Sequence, residues 1–173
     1  ALCFLQKALQ TDRFRVYRNS DVLGVELCGA LKNVMALAAG IADGLGYGDN
    51  AKAAIVARGI AEMCRFGTAA GAQEATFYGL AGVGDLAVTA FSRHGRNRAF
   101  GERIGQGETL DAILASTHKV AEGVWTSRVV RDQARAMGVE MPITDAVCGV
   151  LFDSMPAAEA VRELMTREPK REA

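Results

Sequence analysis

The amino-acid sequence predicts a mainly α-helical fold, and three observations carry that prediction. Prolines occur only at Pro142, Pro156 and Pro169, so the first 141 residues are free of the commonest helix breaker. Thirty alanines favour helix throughout. Only Phe14 to Tyr17, in Phe-Arg-Val-Tyr, has the alternation and residue types of a strand, whereas the chain from Asp21 onward reads as helix almost everywhere. At 173 residues, half of them hydrophobic and 23% charged, the chain is the size of one domain with enough apolar side chains for a core.

The elements follow in order. Asp21 or Ser20 can cap a helix running to about Asp43, which the glycines of Gly44-Leu-Gly-Tyr-Gly48 end. Asp49 or Asn50 starts a second, roughly Ala51 to Phe66, with Ile55, Val56, Ile60 and Met63 on its buried side. Gly67 to Gly84 reads as loop with one short helix around Ala75. Shorter helices are expected near Asp85–Ala90, Asn97–Ile104 and Leu110–Ser116. A longer one, Glu122–Met137, sets Val124, Trp125, Val129 and Val130 against Arg128, Arg131, Asp132 and Arg135. Pro142 suits the first turn of a helix to about Asp153, and Pro156 begins the last, with Ala160, Val161, Leu164 and Met165 as its stripe. A single strand at Phe14–Tyr17 cannot satisfy its own backbone, so it must pair across a dimer or belong to a longer protein of which this is the back half.

Composition excludes several function classes. Twenty basic residues balance twenty acidic ones, which argues against a nucleic-acid binder. Cys3, Cys28, Cys64 and Cys148 form no C-x-x-C pair, and only His94 and His118 are available, so no metal site is expected. The most apolar stretch, Leu27 to Ala42, lies between Glu26 and Asp43 and contains Lys32; it is too short to span a bilayer. No targeting segment is evident at the N-terminus. The expectation is a soluble, reduced, cytoplasmic protein without membrane insertion.

Three features can carry chemistry. Lys32 is the only charge between Glu26 and Asp43, with Cys28, Gly29, Met35 and Ala36 as helical neighbours. Either it snorkels from the edge of a core helix, or it is a partly buried amine, and burial is how a lysine becomes an acid–base catalyst near neutrality. Asn33 offers a neutral donor and acceptor beside it. Gly82-Val-Gly84-Asp-Leu-Ala87 formally matches G-x-G-x-x-A, but no strand precedes it and Asp85 would face a pyrophosphate with like charge. Three glycines before an aspartate describe instead a tight backbone that places Asp85, either to cap the next helix or to orient a lysine such as Lys32. Arg93, Arg96, Arg98 and Arg103 against Glu102 make a local charge of +3, read either as a solvated turn or as an anion clamp at the start of the helix near Asn97. An acid–base lysine, a carboxylate partner and an anion clamp are the parts needed to oxidise or reduce a small phosphorylated alcohol or ketone.

With these residues in place, the sequence closely resembles the C-terminal domain of bacterial NAD(P)-dependent glycerol-3-phosphate dehydrogenase. The matching stretches are Gly24-Val-Glu, Gly29-Ala-Leu-Lys-Asn33, Gly48-Asp-Asn-Ala-Lys-Ala-Ala54, Arg58-Gly-Ile-Ala-Glu-Met63, Thr76-Phe-Tyr-Gly-Leu-Ala-Gly-Val-Gly-Asp-Leu86, Arg96-Asn-Arg98 and Val139-Glu-Met-Pro-Ile143, in family order. The resemblance implies a multi-helical bundle of the 6-phosphogluconate-dehydrogenase C-terminal-like type, with one short strand left from an N-terminal Rossmann domain. It implies conversion of sn-glycerol 3-phosphate and NAD(P)+ to dihydroxyacetone phosphate and NAD(P)H, feeding phospholipid synthesis, with a homodimer as the expected assembly. In that reading Lys32 and Asp85 are catalytic. Asn33, Thr89, Gly95, Arg96 and Asn97 line the substrate site, and Arg96, Val120 and Glu122 touch NAD or NADP. Many family members carry serine where Gly95 stands; the glycine's backbone N–H is expected to serve in its place. The division that follows is 1–20 as remnant and linker, 21–167 as the helical substrate domain and 168–173 as a charged, frayed tail. Without a Rossmann domain the chain alone is expected to be inactive. Two rivals are a non-catalytic helical dimerisation module and the helical half of another β-hydroxyacid-type dehydrogenase.

Overall fold

The computed structural model describes residues 1–117 and 121–168. Among these it is helical without a sheet: α1 (Leu2–Leu9), α2 (Val22–Gly44), α3 (Asp49–Ala69), α4 (Glu74–Phe77), a π-helical turn (Leu80–Gly84), α5 (Asp85–Phe91), α6 (Arg96–Gly105), α7 (Leu110–Ser116), α8 (Glu122–Met137), α9 (Pro142–Phe152) and α10 (Ala157–Thr166). The frayed tail expected at 168–173 falls, beyond residue 168, outside the described residues.

The N-terminal strand does not form. Thr11 and Phe14 exchange backbone hydrogen bonds across a tight turn as an isolated bridge. With no partner strand among the described residues, no ladder can continue from it. Leu2–Leu9 is helical, a span the sequence reading left unassigned although Leu2, Leu5 and Leu9 stand at i, i+3 and i+7. None of its residues is buried. The Gln6 side-chain amide donates to the Val16 carbonyl at 2.7 Å and ties the helix to the segment after it.

α2 is the centre of the molecule. Asp21 caps it: one carboxylate oxygen accepts from the Gly24 N–H at 3.0 Å. The other accepts from the Gln73 N–H at 2.9 Å and the Thr76 hydroxyl at 2.7 Å, so the same cap ties α4 to α2. By length and apolarity α2 could cross a membrane, yet its central and C-terminal side chains are buried in the hydrophobic core. Cys28, Leu31, Val34, Met35, Leu37 and Ala39 are fully buried against residues of α3, α5, α6, α8 and α9.

α6 lies against the C-terminal half of α2 in the same direction, at backbone contact. A Cβ on Gly40 would sit 2.0 Å from the Arg98 carbonyl oxygen, and one on Gly44 would sit 2.1 Å from that of Glu102. From the other side, Gly101 faces Leu37 and Gly105 faces Ile41 just as closely. Two small-residue pairs spaced by four let the helices meet without side chains between them. Buried Glu62 of α3 closes the far end of the core by accepting from the N–H groups of Ile143 and Thr144 and from the Thr144 hydroxyl, capping α9 across the fold. Burial pushes its carboxyl above the usual carboxylate range, against the pull of those hydrogen bonds.

Two packing expectations need correction. α3 does not stop at Gly67: that glycine sits where a Cβ would strike the Phe77 ring, and the helix ends three residues later at Ala70 and Gly71, whose φ of +96° makes the left-handed exit. On α8, Val124 and Val130 are buried but Trp125 and Val129 are exposed. The buried stripe runs Gly123, Val124, Ser127, Val130, Ala134, and Trp125 stacks on Phe152 at its edge with ring centroids 6.2 Å apart. On α10, Ala160 is buried and Met165 is exposed.

Candidate active site

Four helices meet around Lys32 and Asn33. α2 presents both residues, α5 brings Asp85 and Thr89, α6 begins with Arg96 and Asn97, and α8 begins with Glu122 and Gly123. Lys32 is not a solvated lysine: its amine forms an ion pair with Oδ2 of Asp85. Asp85 in turn does not cap α5, since no side-chain capping bond forms there. The π-helical turn before it is a conformation frequent at functional sites. Gly82 permits that turn, because a Cβ there would lie 1.9 Å from the Phe77 carbonyl oxygen. The Thr89 hydroxyl donates to the Asp85 carbonyl at 2.6 Å and lies 3.4 Å from Oδ1 of the same residue. Beside this group runs an open groove of about 620 Å³, lined by Val25, Glu26, Gly29, Ala30, Leu80, Ala81 and Asp85. One turn before Lys32, the buried Cys28 thiol is pushed up to about 11, first by burial and then by the negative charges around it. It takes no part as a nucleophile near neutral pH.

The second half of the site is a chain of amides. Asn97 is buried; its Oδ1 accepts from the Gly123 N–H at 2.9 Å, and its Nδ2 donates to Asn33 Oδ1 at 2.9 Å. Asn33 passes the chain on by donating Nδ2 to the Gly29 carbonyl at 3.2 Å. α8 approaches α2 so closely here that a Cβ on Gly123 would lie 2.5 Å from the Asn33 carbonyl oxygen. Gly123 was not singled out from sequence; a glycine in the first turn of a helix was its only signal. Arg96 is about half exposed and pairs with Glu122 at 2.8 Å. Val120 lies outside the described residues.

The expected +3 clamp divides into separate commitments. Arg98 is buried, bonding Asp43 at 2.7 Å, Glu102 at 3.1 Å and the Ser92 carbonyl at 2.9 Å, while Lys52 holds the other oxygen of Asp43 at 3.0 Å. Arg103 is engaged with Glu108 and Ser116. Helical geometry turns these side chains to different faces, and Arg96 alone of the three stands at the site. Gly95 is the N-cap of α6, but its N–H already donates to the Ser92 carbonyl at 3.2 Å. The donors left at this helix start are the first-turn N–H groups of Arg96, Asn97 and Arg98, which have no intrahelical partner.

Comparison with known proteins points the same way. The family model described as "NAD-dependent glycerol-3-phosphate dehydrogenase C-terminus" matches residues 21–162. A glycerol-3-phosphate dehydrogenase [NAD(P)+] of Chlorobium limicola is 55% identical over 168 residues, 97% of this chain and 50% of the relative. One from Salinibacter ruber is 56% identical, with 97% and 49% covered. The crystal structure of glycerol-3-phosphate dehydrogenase from Coxiella burnetii superposes with a TM-score of 0.89 at 40% identity, covering 96% of this chain and 51% of that one. The chain therefore spans about half the length of the curated relatives it matches. Four helices converging on a lysine–aspartate pair, a family model matching most of the chain and relatives above half identity lead to one statement: the chain belongs to the C-terminal-domain family of NAD-dependent glycerol-3-phosphate dehydrogenases.

Proposed function

We propose that this chain is the substrate-side half of an enzyme that interconverts sn-glycerol 3-phosphate and dihydroxyacetone phosphate with NAD(P)(H). The observation that carries the reading is the Lys32–Asp85 ion pair at the edge of an open groove. In the reducing direction the Lys32 ammonium gives a proton to the oxygen on carbon 2; in the oxidising direction the free amine takes it from the hydroxyl. Asp85 holds the amine in place, and Thr89 braces the start of α5. The Arg96 guanidinium and the first-turn N–H groups of α6 receive the phosphate. Asn97 offers its backbone N–H, while its side chain is spent within the fold on Gly123 and Asn33.

The described residues contain no βαβ unit to cradle a dinucleotide; the half-exposed Arg96 and Glu122 fit contacts along its edge. When bound, NAD(P)H supplies the hydride to carbon 2. The family match, which covers residues 21–162, supports a boundary between residues 20 and 21.

The test uses the enzyme that carries this chain together with its dinucleotide-binding half. Lys32→Ala lowers kcat by about 10²–10⁴-fold with a much smaller change in KM, the range typical of a lost acid–base group. Lys32→Arg restores little, because a guanidinium does not release its proton near neutrality. A Lys32→Ala enzyme with near-parental kcat would move the proton transfer to another group.

A further inference from the structure

We infer that Glu122 is an internal competitor for the phosphate site: its carboxylate pairs with Arg96, and an anion has to displace it to gain the guanidinium. This rests on the reading of Arg96 as the phosphate ligand.

Arg96 is the first residue of α6, so its positive charge sits at the positive end of a helix dipole. That position calls for an anion. Glu122 supplies one at 2.8 Å, across 26 residues of sequence. Its placement is built in. Glu122 opens α8, and the next residue, Gly123, is latched by its N–H to buried Asn97 and packed too close to Asn33 to admit a side chain. The carboxylate is therefore carried on a fixed helix start, beside the residue that follows Arg96.

The pair is also built to exchange. Arg96 and Glu122 side chains are 53% and 45% exposed, the setting in which an ion pair contributes little. On release Glu122 is not left bare, because it remains in the first turn of α8, where a negative charge is favoured. A substrate phosphate, carrying close to two negative charges at neutral pH, offsets both Arg96 and the α6 dipole better than a single carboxylate does.

The experiment measures the dissociation constant of inorganic phosphate by isothermal titration calorimetry, without dinucleotide, in the enzyme carrying both halves. The parent, Glu122→Gln, Arg96→Ala and the double variant form a cycle. Glu122→Gln should bind phosphate about 2- to 5-fold more tightly, the range for removing an exposed ion pair. Arg96→Ala should weaken it about 10- to 150-fold, and the double variant should match Arg96→Ala. A general loss of structure in Glu122→Gln would weaken binding, not strengthen it. Unchanged or weaker binding by Glu122→Gln, or the same gain with Arg96 absent, overturns the competition while leaving Arg96 as the phosphate ligand. If Arg96→Ala binds phosphate as the parent does, the phosphate assignment itself falls, and the competition with it.

Discussion

Two glycines of one helix should respond to alanine in opposite directions. At Gly40 an added Cβ lies 2.0 Å from the Arg98 carbonyl oxygen, well inside the 3.4 Å at which ordinary contact begins. The obstacle is backbone, also approached at 2.9 Å through the Glu102 nitrogen, so no side-chain rotation relieves it. α6 would have to move away from α2 by more than an ångström. That movement loosens the buried Arg98–Asp43 pair and shifts the helix start that carries Arg96 and Asn97. Overpacking of this kind costs about 1–3 kcal/mol, and a rigid obstacle puts Gly40→Ala at the upper end. At about 2–4 °C per kcal/mol for a domain of this size, the midpoint should drop by roughly 6–12 °C. Gly29 stands in the same helix with nothing within 4 Å of its Cβ position. Gly29→Ala should therefore gain about 0.5–1 kcal/mol from lower backbone entropy in the unfolded chain. Thermal unfolding followed by circular dichroism, with urea midpoints alongside, reads both. A Gly40→Ala variant melting within about 2 °C of the parent would refute the backbone-contact argument, as would a Gly29→Ala variant losing as much as Gly40→Ala.

Two further outcomes follow from side-chain environments. The Thr76 hydroxyl, then the Gly24 N–H, with help from the Gln73 N–H, hold the Asp21 carboxyl below its ordinary 3.8 against the opposing effect of burial. A folded value below the unfolded one contributes stability that is present above pH 3.8 and lost as the pH falls through the folded value. Asp21→Asn should flatten the acid limb of urea midpoints measured between about pH 2 and 5, and an unchanged slope would contradict the capping role. Of the four cysteines only Cys3 is exposed, and burial raises both Cys28 and Cys148. A thiol reagent should therefore modify one cysteine quickly in the native chain and the others only on unfolding. A second fast-reacting thiol would show that the α2 core opens.

Local chemistry was enough to place most helices. Leu110–Ser116 and Glu122–Met137 were bounded in advance to the residue, because caps, apolar spacing and helix-ending glycines act within about four residues of where they stand. Local reasoning allowed Asp85 two roles, capping the next helix or orienting Lys32, and the tertiary structure takes the second. Elsewhere the meaning of a residue depended on a neighbour far along the chain. Gly67 looked like a helix end and proved to be room for Phe77; Arg96, Arg98 and Arg103 looked like parts of one clamp and were divided among Asp43, Glu102, Glu108 and Glu122. Gly40 and Gly101 gave no sign of helix contact until α2 and α6 were docked, and Gly123 none until α8 met Asn33. Periodicity reports which face of a helix is apolar but not which helix covers it. Side-chain charge reports what a residue can pair with but not what lies within reach. Those choices belong to the docking of α2, α6 and α8, and it is that docking which brings a partly buried lysine and an arginine-bearing helix start to one candidate site.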